Sequence, residues 1–224
     1  MKRISDVDSA PRPTSPIASS IARSRADRRA RRPEDRHPHD GKGRREGPSA
    51  VSEAYPPHWT IRTERLLLAP VAPEHLPDLV RLKGDEAAFG IMLHGTRTPA
   101  RTAEELADDI SFWKVRGYGT WVVIEQSTGD FLGIVGLMER PDGRGVALRF
   151  ALWPHCRGKG YAREAARAAL AFGHQAGLLR IIAVARDTNH ASRAVLGDIG
   201  MTDADTFEHN GHLMRVLESI KAES

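Results

Sequence analysis

Alternating and helical patterns of apolar positions begin near Trp59 and continue to the end of the chain. Residues 61–69 read as a first strand, ended by Pro70. Residues 73–83 read as a short helix, with Pro73 suited to its first turn. Thr102, with Glu105 three residues on, has the spacing of a capping box. It opens a helix through residue 116 that places Leu106, Ile110 and Trp113 on one face. The period then shortens. Residues 119–125, 131–138 and 146–153 read as three strands joined by turns at 127–130 and 141–145, and connections this short demand antiparallel neighbours. A long helix follows over residues 158–175. Its buried-side positions Ala162, Ala165, Ala166, Ala169, Leu170 and Gly173 are mostly small, which lets a helix sit close to a sheet. Residues 179–185 form another strand, which can lie parallel to 146–153 because a helix separates the two. Residues 189–199 form a helix closed by Gly200, and Asn210-Gly211 joins two last strands in a tight hairpin. The pattern predicts an α/β (α+β) fold: a mixed, mostly antiparallel sheet of six or seven strands with helices on both faces.

Residues 1–54 lack this pattern. They are rich in Arg, Pro, Ser and Asp and nearly free of Leu, Phe and Trp, too little apolar surface to offset the entropy of ordering them. They are expected to be a disordered basic tail ahead of a domain over residues 55–224. The net charge of +4 belongs to this tail: residues 1–50 carry +6 and the remainder −2. Its Arg28-Arg29 and Arg31-Arg32 pairs read either as a solvated segment or as contacts for phosphates. Nucleic acid is otherwise not an expected partner. The single cysteine, Cys156, excludes an intramolecular disulfide and a cysteine-based metal cluster. No apolar run approaches the roughly 18–20 residues that cross a bilayer, and no secretory signal pattern opens the chain. The expectation is a soluble cytoplasmic protein with no membrane partner, as monomer or homodimer.

The informative stretch runs from Val146 to Ala162: a strand, Pro154, then Arg157-Gly158-Lys159-Gly160-Tyr161-Ala162 opening the long helix. Glycines at a strand-to-helix turn let backbone N–H groups converge, and the helix dipole favours an anion there. Without Cβ atoms, Gly158 and Gly160 admit a phosphate close to the main chain, and Arg157 and Lys159 add positive charge. The same Gly-x-Gly can be only a turn. Neither a Walker loop nor a Gly-x-Gly-x-x-Gly dinucleotide pattern is present.

Arg157-x-x-Gly160-x-Ala162 resembles the acetyl-CoA signature of the GNAT acetyltransferase superfamily. Its flanks, Trp153-Pro154 before and Glu164-Ala165 after, are similar to the family's as well. Asn189-x-x-Ser192, Leu196 and Gly200-Met201 resemble a second family segment, with Met201 in a Phe position. Residues 61–68 resemble the opening of the ribosomal-protein N-acetyltransferase branch. The resemblance covers roughly residues 59–220 and implies an acyl-CoA-dependent N-acetyltransferase. It places the CoA pyrophosphate on the N–H groups of residues 157–162. It places the pantetheine arm along Phe150, Ala151 and Leu152, where a backbone N–H polarises the thioester carbonyl.

By the same resemblance Ser192 protonates the leaving thiolate, or else is a first-turn helix serine. Asn189 touches the cofactor arm, caps the helix, or does both. The strand position that often carries a catalytic Glu holds Ala147. Glu208 is the substitute base, or a surface carboxylate. Cys156 reads as a small buried thiol rather than an acyl carrier. His209-x-x-His212 lacks an acidic or cysteine companion, so no metal is assigned. Trp113, Trp121 and Trp153 serve the core or line the acceptor cleft. The acceptor is expected to be an amine, on a protein N-terminus or a small molecule, attacked directly in a ternary complex. Two other readings remain: a non-catalytic acyl-CoA sensor, and a nucleic-acid-associated protein that uses the tail.

Overall fold

The computed structural model describes residues 55–92 and 95–222, all within the compact unit Arg45–Ser224. The expectations for residues 1–54 therefore lie outside the described residues. Eight strands form one sheet: β1 (Ile61–Arg62), β2 (Leu66–Pro70), β3 (Thr120–Glu125), β4 (Phe131–Glu139), β5 (Val146–Leu152), β6 (Arg180–Arg186), β7 (Thr202–His209) and β8 (His212–Ile220). Their spatial order is β1-β2-β3-β4-β5-β6-β8-β7, and every neighbouring pair is antiparallel except β5 and β6. The helices are α1 (Leu76–Gly84), α2 (Glu86–Phe89), α3 (Pro99–Arg116), α4 (Tyr161–Gln175) and α5 (His190–Asp198). None of the described helices is long and apolar enough to cross a membrane.

Helices cover both faces, as the pattern predicts. On one face Gly173 lets α4 sit close: a Cβ there would lie 2.6 Å from Ile181 Cδ1 and 2.7 Å from Leu137 Cδ1. Phe172 of α4 meets Trp121 edge-on at 5.1 Å between ring centroids. On the other face Arg149 of β5 points at Asp109 of α3. Trp113 and Trp121 are fully buried, and the Trp113 indole N–H donates to the Thr120 carbonyl at 2.8 Å, so these two tryptophans belong to the core.

Three details differ from the sequence expectation. The first strand is two, because the chain turns at residues 63–65. Thr63 closes that turn: its N–H donates to the Leu66 carbonyl at 2.9 Å, and its hydroxyl accepts the Leu66 N–H at 3.0 Å. No Gly or Pro marks the turn, and it accounts for a strand beyond the six or seven expected. The capping pattern at Thr102 and Glu105 is not the start of α3. The helix opens one turn earlier, at Pro99, with the Thr98 hydroxyl accepting the Arg101 N–H at 3.2 Å. Thr102 lies inside the helix and is buried, and Glu105 instead pairs with Lys83 and Arg97. The short helix α2 lies where the sequence pattern predicts no element.

β4 carries a bulge at Leu132, since Val123 pairs with Gly133 and Ile124 with Phe131. Next to it Gly133 has φ of +149°, and a Cβ there would lie 2.2 Å from the Ala151 carbonyl oxygen. Backbone against backbone cannot yield cheaply. Gly133→Ala is expected to lower stability by about 3 kcal/mol. Gly129→Ala, at a positive φ but with nothing within 4 Å, is expected to cost about 1 kcal/mol. Denaturant titration of the two variants checks the ranking.

Candidate active site

β5 and β6 share a single parallel register pair, Ala147 with Ile182. Beyond it the strands part, while β5 stays paired with β4 through Leu152. Phe150, Ala151 and Leu152 thus turn one backbone edge away from any strand. Ala151 is buried, and Phe150 and Leu152 are half-buried. After Trp153 a short 3-10 turn, Pro154–Cys156, redirects the chain into Arg157–Gly160 and α4.

Gly158 and Gly160 adopt left-handed φ values of +76° and +79°, which favour glycine. Gly160 is the N-cap of α4 and, lacking a side chain, offers no oxygen to the first turn. The Glu164 N–H is taken by the Gly160 carbonyl at 3.0 Å. The N–H groups of residues 158–163 have no protein acceptor among the described residues. Free donors at a helix start suit an anion in both dipole and geometry. Arg157 departs from the expectation. Its N–H donates to the Pro154 carbonyl at 3.1 Å and its guanidinium to the Ala87 carbonyl of α2 at 2.7 Å. It ties the cradle to α2 instead of lining it with its own amide.

The cradle is held from behind by a residue the sequence reading did not single out. Arg65, in the β1–β2 turn, places its guanidinium 2.6 Å from Glu164 Oε2 and donates to the Lys159 carbonyl at 2.9 Å. It also lies over the Tyr161 ring, 4.7 Å from its centroid. Glu164 further accepts the Thr63 hydroxyl at 2.6 Å and the Arg65 N–H at 2.9 Å. With the Lys159 carbonyl drawn backward, the amides that follow are free to point outward. Burial alone would raise the Glu164 carboxyl, but hydrogen bonds from Thr63 and from the backbone and side chain of Arg65 hold it below its ordinary value. Thr63 and Arg65 lie within residues 61–68 and Glu164 beside the glycine turn, two separate stretches of the family resemblance. Only the fold joins them.

The other expected site residues gather at the same end of the sheet. Asn189 caps α5, its side-chain oxygen accepting the Ser192 N–H at 3.1 Å. Ser192 is half-buried in the first turn. Asp187, just before, donates its N–H to the Leu213 carbonyl at 2.8 Å, and Leu213 in turn pairs with Glu208. Glu208 therefore lies two strand spacings from Asp187, about 10 Å away, exposed on edge strand β7. Ala147 is buried in an apolar cluster with Ile182 and Val216, and itself supplies no carboxylate.

Cys156 is buried, 3.9 Å from the Leu132 carbonyl, and burial pushes its thiol up, away from the thiolate an acyl carrier needs. No group of metal-ligating side chains occurs among the described residues. Beside the cradle a cavity of about 870 Å³ is bounded by Trp153, Lys159, Tyr161, Glu125, Phe131 and His75, among others. The Tyr161 hydroxyl donates to Glu125 at its wall. Of the three tryptophans, Trp153 is the one that lines open space.

Two variants test the cradle. Gly160→Asp puts a carboxylate among the free amides, and its Cβ would lie 3.4 Å from the Arg65 guanidinium. It is expected to fold and to lose the thermal stabilisation that acetyl-CoA gives wild type. Circular dichroism of the unliganded protein supplies the folding control. Glu164→Gln probes the clamp. A carboxyl lowered by folding stabilises fully above its unfolded value of about 4.3 and loses that contribution as pH falls through the lower folded value. The variant should be less stable than wild type at neutral pH, with the gap closing on acidification below pH 4.3 or so. A gap unchanged down to pH 2 would mean the clamp is not ionic.

Residues 65–202 match the family model described as an acetyltransferase (GNAT) domain. The chain is 29% identical over 163 residues to the FsC-acetyl coenzyme A-N(2)-transacetylase of Aspergillus fumigatus, covering 66% of this chain and 67% of that protein. Its fold is similar to a ribosomal L7/L12 alpha-N-protein acetyltransferase in complex with coenzyme A, with TM-score 0.62 at 20% identity, covering 72% of this chain and 97% of the other. It is also similar to the ribosomal-protein-S5-alanine acetyltransferase of Vibrio fischeri, with TM-score 0.63 at 15% identity, covering 72% and 96%. Parted parallel strands, a helix start with unsatisfied amides and the matching family model give one conclusion: the chain belongs to the GNAT family of acyl-CoA-dependent N-acetyltransferases.

Proposed function

We propose that the chain transfers the acetyl group of acetyl-CoA directly to a primary amine within a ternary complex. The observation that supports this most is the free edge of residues 150–152 leading into the unsatisfied amides of residues 158–163. Arg157, Gly158, Lys159, Gly160, Tyr161 and Ala162 supply the phosphate end of the cofactor site, although Arg157 contributes charge and anchoring more than its amide. Phe150, Ala151 and Leu152 supply a strand-like edge for the pantetheine arm. An N–H of that edge is suited to stabilise charge on the thioester oxygen.

The reaction balances simply. The amine nitrogen forms a bond to the carbonyl carbon, the C–S bond breaks, the nitrogen gives up one proton, and the thiolate gains one. Glu208 is the proposed base. Its position on exposed β7 suits a proton path through water rather than direct contact. Ser192 is the proposed donor to the thiolate, and Asn189 orders the turn that carries it. Holding amine and thioester together supplies much of the acceleration. The structural relatives named for acting on ribosomal proteins favour a protein N-terminus as acceptor, and the fungal relative, named as an N(2)-transacetylase, supports transfer to a nitrogen without favouring a protein over a small molecule. A cytoplasmic location accords with either.

The apolar surroundings of Ala147 favour a second reading, a non-catalytic acyl-CoA sensor. One experiment separates them: acetyl-CoA with a panel of peptide and small-molecule amines, followed by free thiol and product mass. Acetylated product with stoichiometric thiol is expected. Acetyl-CoA binding without product from any amine would favour the sensor. With an acceptor in hand, Glu208→Gln is expected to lower turnover by roughly 10²–10⁴-fold at unchanged acetyl-CoA affinity. Normal turnover across pH would remove Glu208 from the mechanism.

A further inference from the structure

Arg149 stands on β5 past its last register pair with β6 and one residue before the free edge. Its side chain leaves the sheet on the face opposite α4, toward α3. There the guanidinium lies 3.5 Å from Asp109 Oδ1 and 3.4 Å from the Thr120 hydroxyl. Both contacts are long for charge-assisted hydrogen bonds, which run about 2.7–2.9 Å. An arginine offers five N–H donors in a planar fork, so these two loose contacts steer one edge and leave the other unengaged. The burial is lopsided in the same sense: the Asp109 side chain is 6% exposed and that of Arg149 is 42%.

The groups around the pair do not neutralise the arginine better. Burial pushes the Asp109 carboxyl up, and Glu105 adds to the rise against Arg149, Lys83 and Thr120, so Asp109 is a reluctant counter-ion. Lys83 and Arg97 are occupied by Glu105, at 2.9 Å and 2.6 Å. Ala147 and Ala151, on either side of Arg149 on this face, carry no charge. A cation is therefore held at the mouth of the parted strands, on the side of the sheet away from the cofactor helix, with one face of its fork open.

We infer that Arg149 is a specificity-determining residue that receives a carboxylate carried by the amine acceptor, with Asp109 and Thr120 acting as positioning residues for its guanidinium. The inference rests on the acetyl-transfer reading above. A bare ammonium approaching this edge meets like charge, whereas an acceptor with a carboxylate near its amine forms a forked, two-bond contact with it. Two sources share that chemistry: the α-carboxylate of a free amino acid, and the side chain of an Asp or Glu near a peptide N-terminus.

Matched acceptors distinguish them. Free serine, alanine and glutamate are compared with their amides, and the peptide amide Ala-Glu-Ala with Ala-Gln-Ala, each with acetyl-CoA and the full chain. Wild type is expected to show a KM at least about tenfold lower for the carboxylate member of one series, the gain of one charge-assisted pair. The series that shows it names the source. Arg149→Gln is expected to erase that preference by raising KM for the carboxylate member alone, with kcat and acetyl-CoA affinity kept. Arg149→Lys should restore part of it, and Arg149→Glu should invert it toward the amides. Equal KM values for acid and amide in both series, or an equal loss on both in Arg149→Gln, would overturn the inference. The same pairs are also read by thermal shift in the presence of CoA. If no amine turns over, that result counts against acetyl transfer. The thermal shift then decides the arginine's role: carboxylate-specific stabilisation lost in Arg149→Gln sustains it, and none in wild type ends it.

Discussion

The structure depends on two parallel strands that meet and then separate. β5 and β6 pair through Ala147 and Ile182 and no further. Unpaired backbone inside a sheet is ordinarily costly, because each buried N–H or carbonyl without a partner loses the hydrogen bond it had in water. Here the free edge opens onto the place where β5 feeds the cradle. The rest of the sheet keeps that edge fixed. β5 remains in register with β4 over its whole length, and the bulge at Leu132 with the positive φ of Gly133 lets β4 follow it closely. On the far side, β6 is in register with β8 from Arg180 to Arg186. Each diverging strand is thus rigid on its outer side, so the gap is a property of the frame and not of a loop.

The second element is the anchoring of the amide cradle. A helix start lined by glycine is well suited to an anion but poorly constrained by itself. Three side chains from outside α4 compensate. Arg65 takes Glu164 and the Lys159 carbonyl, Thr63 takes Glu164, and Arg157 reaches back to α2. Their charges are chosen so that the carboxylate is sequestered behind the first turn while the amides remain in front. An acidic residue in the first turn also suits the helix dipole. Glu164 thus stabilises the helix without occupying the site.

Much of this was legible in the sequence, for identifiable reasons. The alternation of residues 120–152, the small residues along α4 and the Asn210-Gly211 hairpin each have one dominant local cause, and each element formed where that cause placed it. The failures share a different character. The turn at 63–65 has no Gly or Pro because Thr63 and the distant Glu164 close it. Thr102 and Glu105 have the spacing of a cap, yet Glu105 serves two cations brought by other elements, and Pro99 with Thr98 opens the helix first. At the candidate site, the glycine turn ahead of α4 was legible because the backbone angles that call for glycine are local. The clamp was not, because Arg65 and Glu164 are 99 positions apart. Asp109 was likewise invisible, its neighbour Arg149 coming from a strand that the sequence alone could not set against α3.

That separation has a kinetic side. Closing a loop of about a hundred residues costs entropy before any contact rewards it. The β1–β2 turn leaves the ribosome early and must wait for α4 before Arg65 meets its carboxylate. Until then the glycines of the cradle are an unconstrained turn. The clamp on the first turn of α4 is therefore complete only once the β1–β2 turn has packed against that helix. A ligand that binds only the completed site favours the native topology over partly paired alternatives by mass action.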